Sequence, residues 1–98
     1  MNGNQKIEIY QTTDLWEAAT LICKGADFIA VKSLSPFQME FHLGKGKLEH
    51  DFQTIREAYH SADPLSAVTP LNLRMTVRGL RQKMSEEQRR TSPKGGLV

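Results

Sequence analysis

The period of the apolar positions changes along the chain, and each change marks an element. Lys6-Ile7-Glu8-Ile9-Tyr10 alternates with period two, which predicts a short strand with Ile7 and Ile9 facing inward. Leu15, Ala18, Ala19 and Ile22 then recur at helical spacing, predicting a helix from about Leu15 to Lys24. Asp14 stands where an N-cap is needed, with Glu17 three residues on to complete a capping box. Gly25 stands where a left-handed C-terminal cap is needed. The stretch from Asp27 to Leu43 reads as two strands meeting at Ser35-Pro36. Leu48, Phe52, Ile55, Tyr59 and Ala62 predict the next helix, closed by Asp63-Pro64. Leu65 to Val68 is a connector with room for one helical turn. Thr69 as cap and Pro70 at the first position open the last helix, whose stripe is Leu73, Val77, Leu80 and Met84. That helix is expected to end between Ser85 and Arg89, and Gly79 lies off its stripe without a packing reason.

The element order is therefore β-α-β-β-α-α. It predicts an α+β fold, a three-stranded sheet with helices packed on one face. The first and second strands are expected to be parallel, with the third between them or at the edge. The hairpin register follows from which face must be apolar. A loop of Leu34, Ser35 and Pro36 pairs Ser33 with Phe37, Val31 with Met39 and Ile29 with Phe41. Ile29, Val31, Phe37, Met39 and Phe41 then floor the core. Tyr10, Phe28, Lys32 and His42 are left on an outer face with Ala30, Gln38 and Glu40. The domain organisation is a flexible start over 1–5, one domain over 6–88, and a disordered basic tail over 89–98.

Charge separates the last third from the rest. Residues 1–68 hold six Lys/Arg and nine Asp/Glu, a balance of −3, while residues 69–98 hold seven and two, a balance of +5. Arg74, Arg78 and Arg81, spaced four and three, form a row beside the apolar stripe, and Arg89 and Arg90 extend it. Such a row can contact phosphates of a nucleic acid or carboxylates of a protein partner. It can also be a solvated flank paired with Glu49, Asp51 or Glu57. The outer-face set Tyr10, Phe28, Lys32 and His42 has the aromatic and basic character with which some sheets stack bases. Coverage by the last helix or by a second copy explains the same set.

Specific chemistry is sparse. Hydrophobic content of 39% and charged content of 24% describe a globular chain. No stretch approaches a membrane span or a signal peptide, so no membrane partner and a cytoplasmic location are expected. Cys23 is the one cysteine, which excludes an internal disulfide, and its neighbours mark it as a small buried hydrophobe. Gly44-Lys45-Gly46-Lys47 lacks the Ser/Thr that a phosphate-binding loop requires after the lysine. His50 and His60 would lie about 15 Å apart along one helix and cannot share a metal. His42, His50 and Asp51 around one turn make a poor ligand set, so neither metal nor other cofactor is expected. The carboxylates fall at caps and wet helix faces, and no enzyme is expected. The function indicated is a small non-catalytic module that binds a protein or itself. The alternative is a nucleic-acid-binding accessory protein using the basic last helix.

Tyr10, Thr12, Asp14, Leu15, Ala18, Ala19, Leu21 and Gly25 carry a resemblance. The segment Tyr10 to Gly25 resembles the start of a small family of uncharacterised bacterial and phage-associated proteins, a domain of unknown function. The resemblance covers residues 7–85. It implies a β-hairpin and one or two helices after the first helix, and a mobile-element origin. It implies no site residues.

Overall fold

The computed structural model describes residues 9–91. The expected loose ends at 1–5 and 92–98, and Ile7, lie outside that range. The elements are β1 (Ile9–Thr12), α1 (Leu15–Cys23), β2 (Asp27–Ser35), β3 (Gln38–Gly44), α2 (Phe52–His60) and α3 (Pro70–Thr91). A single 3-10 turn, Pro64–Ser66, occupies the connector before α3. The fold is α+β in the expected order. β3 lies between β1 and β2 and is antiparallel to both, so β1 and β2 run parallel without touching.

α1 crosses the sheet over β3 and is flanked by α2 and α3. Its side chains explain why that place is available. Ala18 and Ala19 are fully buried and let the helix approach closely, and Leu21 fills the space beneath. Asp14 caps the helix by accepting from the N–H groups of Trp16 (2.9 Å) and Glu17 (3.1 Å). Gly25 ends it at φ +123°, and the Ala26 N–H bonds back to the Leu21 carbonyl. A side chain at Gly25 would also strike the Lys47 backbone, with a Cβ 2.9 Å from its carbonyl carbon. The turn before α2 is thus packed against the end of α1.

The core joins Phe41 and Leu43 of β3 to Ala18, Ala19 and Leu21 of α1, Phe52 and Ile55 of α2, and Val77 and Leu80 of α3. Tyr10 stacks on Phe52 with ring centroids 5.0 Å apart and planes 13° from parallel. α2 is shorter than its apolar pattern. Leu48 is buried but precedes the helix, which starts after the cap Asp51, whose side chain accepts from the Thr54 N–H at 2.8 Å. Ala62 lies beyond the other end at φ +59°, where the Asp63 N–H bonds to the Ala58 carbonyl. α3 extends through Arg89 and Arg90, which the sequence assigned to the tail, to Thr91.

The hairpin departs from the expected register, and the departures have identifiable causes. The turn is Pro36-Phe37 and not Leu34-Ser35-Pro36, since Ser35 pairs with Gln38. Proline presets the first turn residue, and the Ser35 hydroxyl accepts from the Phe37 N–H at 3.2 Å. Val31 therefore pairs with Phe41 and Ser33 with Met39, a slip of two residues. A slip of two preserves faces. Bulges at Ile29 and Leu34 do not. The bulge at Ile29 turns Phe28 inward, opposite Leu43, and sends Ile29 outward over Gly44, where a Cβ would lie 3.2 Å from Ile29 Cδ1. Ile29 and Phe37 are thus not core floor, and Phe37 is 97% exposed while Phe41 is 1% exposed. Ile9 is likewise exposed, and Tyr10 takes the inward place expected for it.

Candidate interaction site

Three of the five arginines in the expected row come together with a residue the sequence did not single out. Arg74, Arg78 and Arg81 line a groove between α1 and α3 with Trp16, Pro70, Leu73 and Val77. The groove is open and holds about 490 Å³. Its floor is apolar because Leu73 and Val77 belong to the stripe that packs on α1. Its α1 wall is the indole of Trp16, 46% exposed. The expected pairing of the arginines with Glu49, Asp51 or Glu57 is absent. None of the three has an ion-pair partner among the described residues.

The surface continues past the arginines. Leu71 and Met75, one turn apart on α3, are 63% and 60% exposed. At 100° per residue they fall beyond Arg78, on the side of the row away from Trp16. Residues 70–81 contain three arginines and no lysine, aspartate or glutamate. Around the helix the order is therefore tryptophan, apolar floor, arginines, then leucine and methionine.

Arg90 serves a different place. Arg90 donates to Glu87 at 2.7 Å, and the same carboxylate accepts from the Ser33 N–H of β2 at 3.3 Å. The Arg90 hydrogen bond, with a smaller contribution from Ser33, holds the Glu87 carboxyl below the usual range. Lys83 lies over the Phe28 ring, 5.1 Å from its centroid. Arg89 is exposed. Arg90 is thus apart from the row expected from Arg74 to Arg90.

The outer sheet face is also redrawn. Tyr10 and Phe28 lie on the inner face, for the reasons of register given above. Lys32 and His42 remain outside with Glu40, which meets His42 Nε2 at 2.8 Å. α3 packs on the other side of the sheet, so it does not cover them.

A second polar cluster joins three elements. Glu17 is buried, and its carboxylate accepts from the Thr12 hydroxyl. It also meets His60 Nε2 at 3.2 Å and Arg56 Nε at 3.6 Å. Glu17 does not close the expected capping box. The Asp14 N–H that Glu17 was to satisfy donates to Thr12 Oγ1 at 3.1 Å, and the Thr12 hydroxyl in turn donates a hydrogen bond to Glu17. Burial, then the nearby Glu17 charge, raises the Tyr10 phenol. This cluster ties β1, α1 and α2 together.

Cys23 is half-buried and touches the Thr76 hydroxyl at 3.4 Å. No group of three potential metal ligands exists among the described residues. No described helix is long and apolar enough to cross a membrane. No family model, curated protein or solved structure matches the chain.

Proposed function

We propose that this protein is a non-catalytic interaction module that binds a foreign protein through the first half of α3 and Trp16. The observation that carries this reading is the composition of that face. Trp16, Leu71 and Met75 are exposed around three arginines that have no ion-pair partner among the described residues. Aromatic, Met and Arg side chains are the ones enriched at protein interfaces, while Lys and Glu are depleted there. An exposed leucine and methionine contribute nothing to phosphate contact, which weighs against a nucleic acid. Charge weighs against self-association through this face. A two-fold contact sets each patch against its own copy. The arginines of both copies would then meet within the roughly 10 Å over which charges interact at 0.1 M salt.

The reading is tested by placing a photo-crosslinking residue at Gln82, beside the face, and exposing the protein to extracts of its source cells. One defined protein should be captured, and Trp16→Ala or Arg78→Glu should abolish capture. Two outcomes overturn the reading. One is a concentration-dependent dimer, seen by sedimentation, that Arg78→Glu alters. The other is labelled oligonucleotide binding that falls steeply with salt and is lost in the Arg74/Arg78/Arg81→Ala variant.

A further inference from the structure

We infer that the occupant of the α1–α3 groove is an acidic amphipathic α-helix of the partner. This inference rests on the reading of that face as a protein-binding surface and specifies what it takes. The walls are two helices, whose backbone groups are already bonded within themselves. An extended segment laid there would find no N–H or C=O to pair with along its length. A helix brings its own backbone bonds and needs only side-chain contacts.

The dimensions agree. From Pro70 to Arg81 the groove follows α3 for about 16 Å, or three helical turns. Arg74, Arg78 and Arg81 lie four and three residues apart, rising about 6 Å and then 4.5 Å. Carboxylates at i, i+4 and i+7 of a second helix have the same rises. Arginine can grip each carboxylate with two parallel hydrogen bonds. The apolar edge of that helix then meets Leu73, Val77 and the Trp16 indole. Leu71 and Met75 stand beyond the arginines to contact its far shoulder. A helix with one apolar stripe and glutamates one turn apart beside it satisfies the floor and the rim together.

The chain carries its own reporter, because Trp16 is the only tryptophan. The probe is a capped 18-residue peptide of Leu, Ala, Gln and Glu. Its leucines follow helical spacing, and its glutamates stand at i, i+4 and i+7 beside them. Controls are a scrambled peptide of the same composition, a lysine-for-glutamate version and a 20-mer single-stranded DNA. The acidic amphipathic peptide should quench or blue-shift Trp16 emission and gain helical circular dichroism on binding. Its affinity should fall severalfold between 50 and 300 mM salt. Arg74→Gln, Arg78→Gln and Arg81→Gln combined should weaken it about tenfold or more, as should Trp16→Phe measured with labelled peptide. These side chains are exposed, so unchanged thermal melts would show that the variants fold.

The inference is overturned if the scrambled peptide binds equally, if binding brings no helix, or if no peptide perturbs Trp16. It is also overturned if the DNA alone gives the Trp16 response. The crosslinking result tells the two levels apart. A partner captured at Gln82 with no peptide response leaves the face and removes the helix. Absence of both capture and a peptide response removes the face and the helix together.

Discussion

Phe37 and Phe41 are four residues apart on one hairpin and are chemically identical, which makes them a controlled pair. Phe41 is 1% exposed and sits under α1, while Phe37 is 97% exposed in the turn. Truncating a buried phenylalanine removes its transfer free energy and leaves a cavity, costing about 3–5 kcal/mol. A domain of this size has roughly 5–15 kcal/mol of stability in all. Phe41→Ala should therefore lower the melting temperature by tens of degrees, at about 4–8 °C per kcal/mol. If it fails to fold, the milder Phe41→Leu should still cost about 1–2 kcal/mol. Phe37→Ala should change stability by no more than about 0.5 kcal/mol. Urea unfolding followed by circular dichroism and by Trp16 fluorescence measures all three. The denaturant slope should hold constant, so that midpoints report stability directly. A loss of more than about 1 kcal/mol in Phe37→Ala alongside a costly Phe41→Ala would refute the observed register. It would favour the pairing of Ser33 with Phe37.

Backbone conformation supplies a second contrast. Ala62→Gly should stabilise by about 0.5–1 kcal/mol, because Ala62 holds a left-handed conformation, whereas Gly25→Ala should destabilise by more than that. Gly79 has nothing within 4 Å of where a Cβ would stand, so Gly79→Ala should stabilise α3 by about 1 kcal/mol in a thermal melt. Glu87 is held below the usual carboxylate range by Arg90. Its contribution is present above the unfolded value, about pH 4.3, and is lost as pH falls through the lower folded value. The acid limb of a stability–pH curve should be shallower in Glu87→Gln.

Both ends of α1 and the start of α3 were legible because they are written locally, whereas both ends of α2 and the end of α3 were misplaced. Asp14, Gly25 and Thr69-Pro70 act within a turn of where they stand, and the structure uses each as its type suggests. The short connections made β1 and β2 parallel but left β3 either between them or at the edge, and the structure places it between. The faces of β2 were not legible, because the bulges at Ile29 and Leu34 fall on ordinary apolar residues with no glycine to mark them. A bulge is decided by how the whole strand packs beneath α3, and one unmarked residue reverses Phe28. The groove was half legible. Its arginine row could be read from spacing, but its other wall is on α1, over fifty residues away in sequence. A signal did exist. Trp16 falls off the apolar stripe of α1, as Leu71 and Met75 fall off that of α3, and large apolar residues in such places mark an exposed apolar surface. Glu17 was misassigned because its position fits a capping box equally well, and only packing shows Thr12 taking that role.

β2 is nine residues long and lies at the edge of the sheet, the arrangement most open to recruiting another chain's strand. At Ser33 the outward N–H is already taken by Glu87, and bulges on either side break the straight run that a templated strand would follow. The last turns of α3 thus decide where the sheet stops growing. One helix divides its length, with its first half lining the groove beside Trp16 and its second half meeting the edge of the hairpin. Loss of the second half would not merely loosen the fold. It would free the Ser33 N–H on a strand edge beside the exposed Leu34 and Phe37, the kind of edge on which another strand can pair.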